Sequence, residues 1–235
     1  MRIFIDPGHG GSDTGAVANG IIEKDINLIV AKEVKSLLEV LGIEILMSRT
    51  DDSYIGLSER CVMANNWEAN YFVSIHHNAG GGDGYEVIHT IYTQYSEGDE
   101  LAQAIGNEFA KTGQNLRRIF SRKGANGDYY AIIRETNMPA VITEFAFLDT
   151  SDFEAVDTHE ELMREALAIV KGICSHIGKP YEENKTAELS VDEALQILTG
   201  KVIDSPDYWR QVAGVVNHFD KLLINMANYI KHKVN

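Results

Sequence analysis

The chain has 235 residues, 44% apolar and 24% charged, with only four prolines. That composition excludes disorder as the main state and fits one full-sized domain with a small appendage. Its 35 acidic against 21 basic side chains leave a net charge of −14, so nucleic acid and anionic membrane surfaces are not expected as partners. Arg2–Asp6 reads as a short strand, and a Gly-rich loop runs from Pro7 to Gly20. From Asp25 the apolar residues Ile26, Ile29, Val30, Val34, Leu37, Leu38 and Leu41 recur at three- and four-residue steps up to Gly42, the pattern of an amphipathic helix with a glycine stop. Residues 43–47 then read as a strand, 57–66 as a helix, and 71–75 as a buried strand ending at His76. This β-α-β-α-β order predicts parallel strands joined by helical crossovers.

Further along, 84–92 alternates like a strand, 99–111 repeats like a helix, and 139–145 is again strongly β-forming. A helix is expected over 153–176, closed by Gly178 and Pro180. The expected fold is α/β, a twisted, mostly parallel sheet flanked by helices over residues 1–178. A polar linker over 179–188 and a small all-helical unit over 189–235 follow it. In that unit Ser205-Pro206 signals a helix start, and Val212, Val215, Val216, Phe219 and Leu223 make an apolar stripe. Residues 1–185 carry −13 of the net charge. Cys61 and Cys174 lie in apolar, helical stretches without metal-finger spacing, so both are expected as buried, unbridged thiols. No stretch reaches the roughly 18 apolar residues of a membrane span, and MRIFIDPGHGG lacks the basic and apolar regions of a secretory signal. A protein made in the cytoplasm without a signal peptide is expected.

Three polar clusters follow the apolar parts of predicted strands: Asp6-Pro-Gly-His9, His76-His77-Asn78 and Glu144. Glu23 stands just before the first helix. Ligands of open α/β sheets bind beyond the carboxyl ends of parallel strands, so these groups are placed to converge. Two imidazoles and a carboxylate form the ligand set of a hydrolytic zinc site with one position open, and a further carboxylate then serves as proton acceptor. The glycine loop matches neither a dinucleotide fingerprint nor a P-loop: Asp13 stands where a third glycine belongs, and no Gly-Lys-Ser/Thr ending follows.

IDPGHGGSDTGA, EKDINL, SIHHNA and IIRETNMPAVITEFAFL resemble the successive motifs of zinc-dependent N-acetylmuramoyl-L-alanine amidases of the third amidase family, from Met1 to about Ile177. The resemblance implies that one Zn2+ is held by His9, Glu23 and His76, and that Glu144 is the catalytic glutamate. His77 occupies the variable position of the SIH-x-NA pattern, and neighbouring strand residues point to opposite sides. The sequence departs from the family where Phe145-Ala146-Phe147 follows Glu144, with alanine in place of the usual glycine. Glu86, in GYEV, also resembles a family position and is assigned no chemistry; a polar strand residue facing solvent or a helix end is at least as good a reading, and its role stays open.

The implied reaction is hydrolysis of the amide between N-acetylmuramic acid and L-alanine in the peptidoglycan of a Gram-positive wall. Glu144 would move the proton, its pKa raised by the apolar neighbours Ile142, Phe145 and Phe147. The layout resembles a phage endolysin of a clostridial-like host, acting after release by holin-type lysis, and also suits a host autolysin. Residues 189–235 resemble a short helical module of clostridial and bacillar wall hydrolases, suited to wall binding or to pairing in a homodimer. The alternatives are a zinc peptidase cutting within the stem peptide and a non-catalytic peptidoglycan-binding protein.

Overall fold

A computed structural model of the chain describes residues 1–92, 96–181 and Leu195. The chain divides into two compact units, Met1–Tyr181 and Glu182–Asn235. The helical stripes expected over 189–235, and most of the expected linker, lie outside the described residues.

In chain order the first unit contains β1 (Arg2–Pro7), the small hairpin of β2 (Val17–Ala18) and β3 (Ile21–Ile22), α1 (Glu23–Val40) and β4 (Glu44–Met47). Then come α2 (Leu57–Asn66), β5 (Tyr71–Asn78), β6 (Tyr85–His89), α3 (Ser96–Lys111) and β7 (Leu116–Ser121). A second hairpin of β8 (Lys123–Gly124) and β9 (Gly127–Asp128), α4 (Ala131–Glu135), β10 (Ala140–Phe147) and α5 (His159–His176) complete it.

Six strands form one sheet in the order β4-β1-β5-β10-β6-β7, in which only the β10–β6 pairing is antiparallel. The expected α/β architecture with a mostly parallel sheet between helices is therefore what the chain adopts. Both faces are covered, which is why the central strands read as near-continuous apolar runs rather than alternating ones. The two-residue period of a strand assigns each side chain to a layer. Ile3, Ile5, Val73, Ile75 and Val141 face a core shared with α1, α3 and α5, while Phe4, Phe72, Ala140, Ile142 and Ile88 face one shared with α2 and α4. Cys61 and Cys174 are buried free thiols, as expected, one in each core. Burial pushes the Cys61 thiol up to about 12, so it is inert as a nucleophile.

β1 connects through α1 to β4 on one side, and the chain returns through α2, on the opposite face, to β5 on the other side of β1. The gap between β1 and β5 is thus the topological switch point, where an α/β sheet binds ligands.

Two expectations are corrected, and one gap is filled. His76, His77 and Asn78 belong to strand β5 rather than following it. The helix expected over 153–176 is broken: residues 151–155 form a 3-10 turn, and α5 starts at His159, where the Thr158 hydroxyl caps the Glu161 amide. The segment between α3 and β10, not assigned from the sequence, supplies strand β7, a hairpin and α4.

Candidate metal and catalytic centre

His9 lies two residues beyond the end of β1, His76 lies near the carboxyl end of β5, and Glu23 is the first residue of α1. The three meet at the switch point. Nε2 of His9 lies 3.1 Å from Oε1 of Glu23, and Nδ1 of His76 lies 2.9 Å from the same oxygen. One ligand atom from each residue falls within 4.8 Å of the others, a group able to hold a metal ion.

Glycines make this approach possible. A Cβ on Gly8 would fall 2.1–2.5 Å from three atoms of the His76 ring, and one on Gly15 would meet Glu23 Oε2 at 2.4 Å and His9 Cδ2 at 2.6 Å. Gly15 also has φ of 62°, which favours glycine on its own account. His9 itself has φ of 60°, a conformation that non-glycine residues hold only where the surroundings enforce it.

Two arginines supply that enforcement. Arg60 donates to the carbonyls of Pro7 and His9 at 2.8 and 2.7 Å, and Arg49 to those of Pro7 and Gly8 at 3.1 and 2.9 Å. Arg60 also pairs with Asp6 at 2.6 Å, both side chains buried. Asp6 additionally accepts from the hydroxyls of Ser48 and Ser74, each at 2.6 Å. Asp6 is thereby part of the scaffold under the His9 loop and stands outside the cluster able to hold a metal.

Glu23 is buried and fully engaged. Its Oε2 accepts from the Ala16 amide at 2.8 Å, and its Oε1 from the His77 amide and the Asn27 side chain at 3.2 and 3.3 Å. Burial alone pushes its pKa up, but hydrogen bonds and charge from His76 and His9 outweigh burial and hold it far below the ordinary carboxylate value. A carboxylate kept ionised beside two imidazoles is chemically suited to a dication.

Strand alternation sends the His77 side chain to the other face. There its Nδ1 lies 2.7 Å from Asn27 Oδ1 and its Nε2 lies 3.0 Å from Glu165 Oε2 on α5. His76 is in the metal-competent cluster and His77 is not. Asn27, His77 and Glu165 form a buried strut behind Glu23, which no spacing in the sequence announced.

Glu144 is the register partner of His76 across β5 and β10, and of Glu86 across β10 and β6. The three side chains form a row on one face of the sheet. Immediately after Glu144 the pairing slips by one residue before Phe147. Ala146 stands in this bulge, and bulges commonly re-aim a side chain beside a functional site. Oε2 of Glu144 is buried with no hydrogen-bond partner among the described residues. Burial first, then the charges of Glu23 and Glu86, push its pKa well above the usual carboxylate value.

Of the readings left open for Glu86, the structure excludes the solvent-facing one. The residue is buried, and accepts from Arg117 Nε at 2.8 Å, Arg118 Nε at 2.9 Å and Asn78 Nδ2 at 3.2 Å.

Comparison with known proteins identifies the family. A family described as N-acetylmuramoyl-L-alanine amidase matches residues 3–175. The sporulation-specific N-acetylmuramoyl-L-alanine amidase of Bacillus subtilis is 39% identical over 197 residues, covering 80% of this chain and 71% of that protein. The endolysin of Bacillus phage SPP1 is 33% identical, covering 87% of this chain and 77% of its own length. The crystal structure of an N-acetylmuramoyl-L-alanine amidase from Clostridium difficile 630 superposes with a TM-score of 0.68 at 32% identity, over 75% of this chain and 96% of that one.

Proposed function

Since the chain belongs to the N-acetylmuramoyl-L-alanine amidase family, a cell-wall peptidoglycan hydrolase family, we propose that it cuts the amide between N-acetylmuramic acid and L-alanine with one zinc ion. His9, Glu23 and His76 would hold the ion, and Glu144 would act as acid/base. The observation that carries this reading is one carboxylate oxygen of Glu23 shared between two imidazole nitrogens, with Glu144, whose Oε2 has no hydrogen-bond partner among the described residues, one strand away.

The donor set fits zinc: two nitrogens and one carboxylate oxygen leave a position for water or substrate. When bound, zinc supplies Lewis acidity, which lowers the pKa of water and polarises an amide carbonyl. The chain's own residues do the rest. Glu144 accepts a proton from the attacking water and delivers it to the departing nitrogen of L-alanine, a task suited to a carboxyl with a raised pKa. Asn27 and the His77 amide keep Glu23 oriented, as outer groups do at metal sites. Arg60 holds His9 by its backbone carbonyl, and Arg49 holds the preceding Pro7 and Gly8 carbonyls.

Wall lysis is the chemistry suggested both by the endolysin and by the sporulation-specific amidase among the relatives. Within it we read a lytic role of the phage type. No helix among the described residues is long and apolar enough to cross a membrane. The 189–235 segment we assign to wall binding or homodimer pairing.

Mass spectrometry of digested sacculi tests the reaction. The expected products are glycan chains with free lactyl carboxyls and peptides beginning with L-alanine. Peptides cut after L-alanine would replace the amidase reading with a stem-peptide peptidase.

A further inference from the structure

The row of His76, Glu144 and Glu86 continues onto β7, and its last position is unusual. Tyr85 pairs with Leu116 but Glu86 pairs with Arg118, so Arg117 is the extra residue of a bulge. In regular β-structure neighbouring residues point to opposite faces, whereas a bulge sets two residues opposite one. Both Arg117 and Arg118 accordingly place Nε on the same oxygen of Glu86, at 2.8 and 2.9 Å, and Arg118 adds Nη2 to the other oxygen at 3.3 Å.

The guanidinium planes are fixed from the side as well. Arg117 lies over the Phe147 ring at 5.1 Å and Arg118 over Phe120 at 3.9 Å. Among the described residues, nothing engages either Nη of Arg117 or Nη1 of Arg118, and the two side chains are 45% and 53% exposed. One buried carboxylate thus anchors two arginines by their inner edges and leaves outer edges to solvent. The trio carries a local charge of +1 on a strongly acidic chain. Oriented, anchored guanidinium forks of this kind recognise carboxylates.

We propose that Arg117 and Arg118 form a carboxylate subsite for the stem peptide, taking the α-carboxylate of its second residue, the γ-linked D-glutamate. The proposal rests on the amidase reading and specifies the direction in which substrate lies. The glycan is uncharged once its lactyl group is in amide linkage, so the anionic part of the substrate is the stem, and it runs from Glu144 toward β7. The span is suitable. β7 is two strands from β10, about 10 Å at a spacing of about 4.8 Å. Two peptide residues reach about 7 Å, and an arginine side chain closes the remainder.

The test uses the full chain, zinc-loaded, and two synthetic disaccharide tripeptides, L-Ala-γ-D-Glu-L-Lys with the lysine carboxyl capped as an amide. In one the D-glutamate α-carboxyl is free; in the other it is amidated. The wild-type protein should prefer the free acid by about tenfold or more in kcat/KM, mostly through KM, since a charge-assisted pair is lost in the amide. In the Arg117→Gln/Arg118→Gln protein that preference should fall toward unity. If that variant does not fold, Arg117→Gln alone carries the test, because Arg118 still engages both oxygens of Glu86; its preference should drop by several-fold. Cleavage of both substrates with equal kcat/KM by wild type, or an undiminished preference in the folded variants, overturns the subsite and leaves the amidase reading intact. Cleavage of neither substrate overturns the amidase reading, and the subsite with it.

Discussion

His76 and Glu144 stand directly opposite each other in neighbouring parallel strands, with their side chains on the same face of the sheet. The pairing fixes a metal-ligand candidate and a proton-transfer candidate through backbone hydrogen bonds rather than through a loop. Sites built on regular elements are held more closely than sites on loops.

That separation of tasks predicts the behaviour of Glu144→Gln. The variant keeps the His9, Glu23 and His76 cluster, so it should bind zinc at one equivalent, measured by elemental analysis. Its rate of L-alanine amino-terminus release should fall about 10²–10⁴-fold, the usual contribution of a general acid–base group. Near-normal turnover would remove Glu144 from the reaction.

The same substitution should stabilise the metal-free protein. Burial raises the Glu144 pKa above the ordinary 4.5, so the folded chain binds that proton more tightly than the unfolded chain. Stability contributed by the protonated form is present below about 4.5 and is lost as pH rises toward the raised value. Denaturant melts of metal-free protein should show Glu144→Gln ahead of wild type by about 0.5–2 kcal/mol at neutral pH, the scale of a stability–activity trade-off. The gap should close below pH 4. A constant gap across pH would mean that the carboxyl is not the source.

Gly8→Ala tests the close approach at the metal site. The added methyl overlaps the His76 ring, and a side-chain ring gives way more readily than backbone. Zinc affinity should drop at least 10–100-fold, as when the outer groups at metal sites are lost, with the melting temperature of the metal-free protein nearly unchanged. Unaltered zinc affinity in a competition titration would show that His76 is not confined by Gly8.

Arg60→Ala probes the scaffold beneath His9. It strands a buried Asp6 carboxylate and should cost about 3–5 kcal/mol in denaturant unfolding. A loss below 1 kcal/mol would mean that Asp6 is satisfied without its arginine.

Much of this arrangement was legible in the sequence, for identifiable reasons. Strands β1, β5 and β10 are covered on both faces, so they appear as apolar runs with polar residues at their carboxyl ends. Strand alternation sends His76 and His77 to opposite faces, and the family resemblance of the SIH motif is what pointed to His76. What stayed hidden depends on contacts between distant residues. Arg49 and Arg60 bind backbone carbonyls some 40 to 50 positions away, and such bonds leave no periodic trace. The role of Glu86 stayed open because its two arginines arrive about 30 positions later, in β7, a half-exposed edge strand with the pattern LRRIFS and no apolar run. The bulge that turns Arg117 toward it is a matter of register, which composition does not encode.

Metal dependence of the cleavage is the most direct test of the account. Protein stripped of metal by a chelator and then desalted should release no L-alanine amino termini from purified sacculi. One equivalent of Zn2+ should restore the release in wild type, and in neither His9→Ala nor His76→Ala. Full release by the stripped protein, or restoration of either histidine variant, would contradict it.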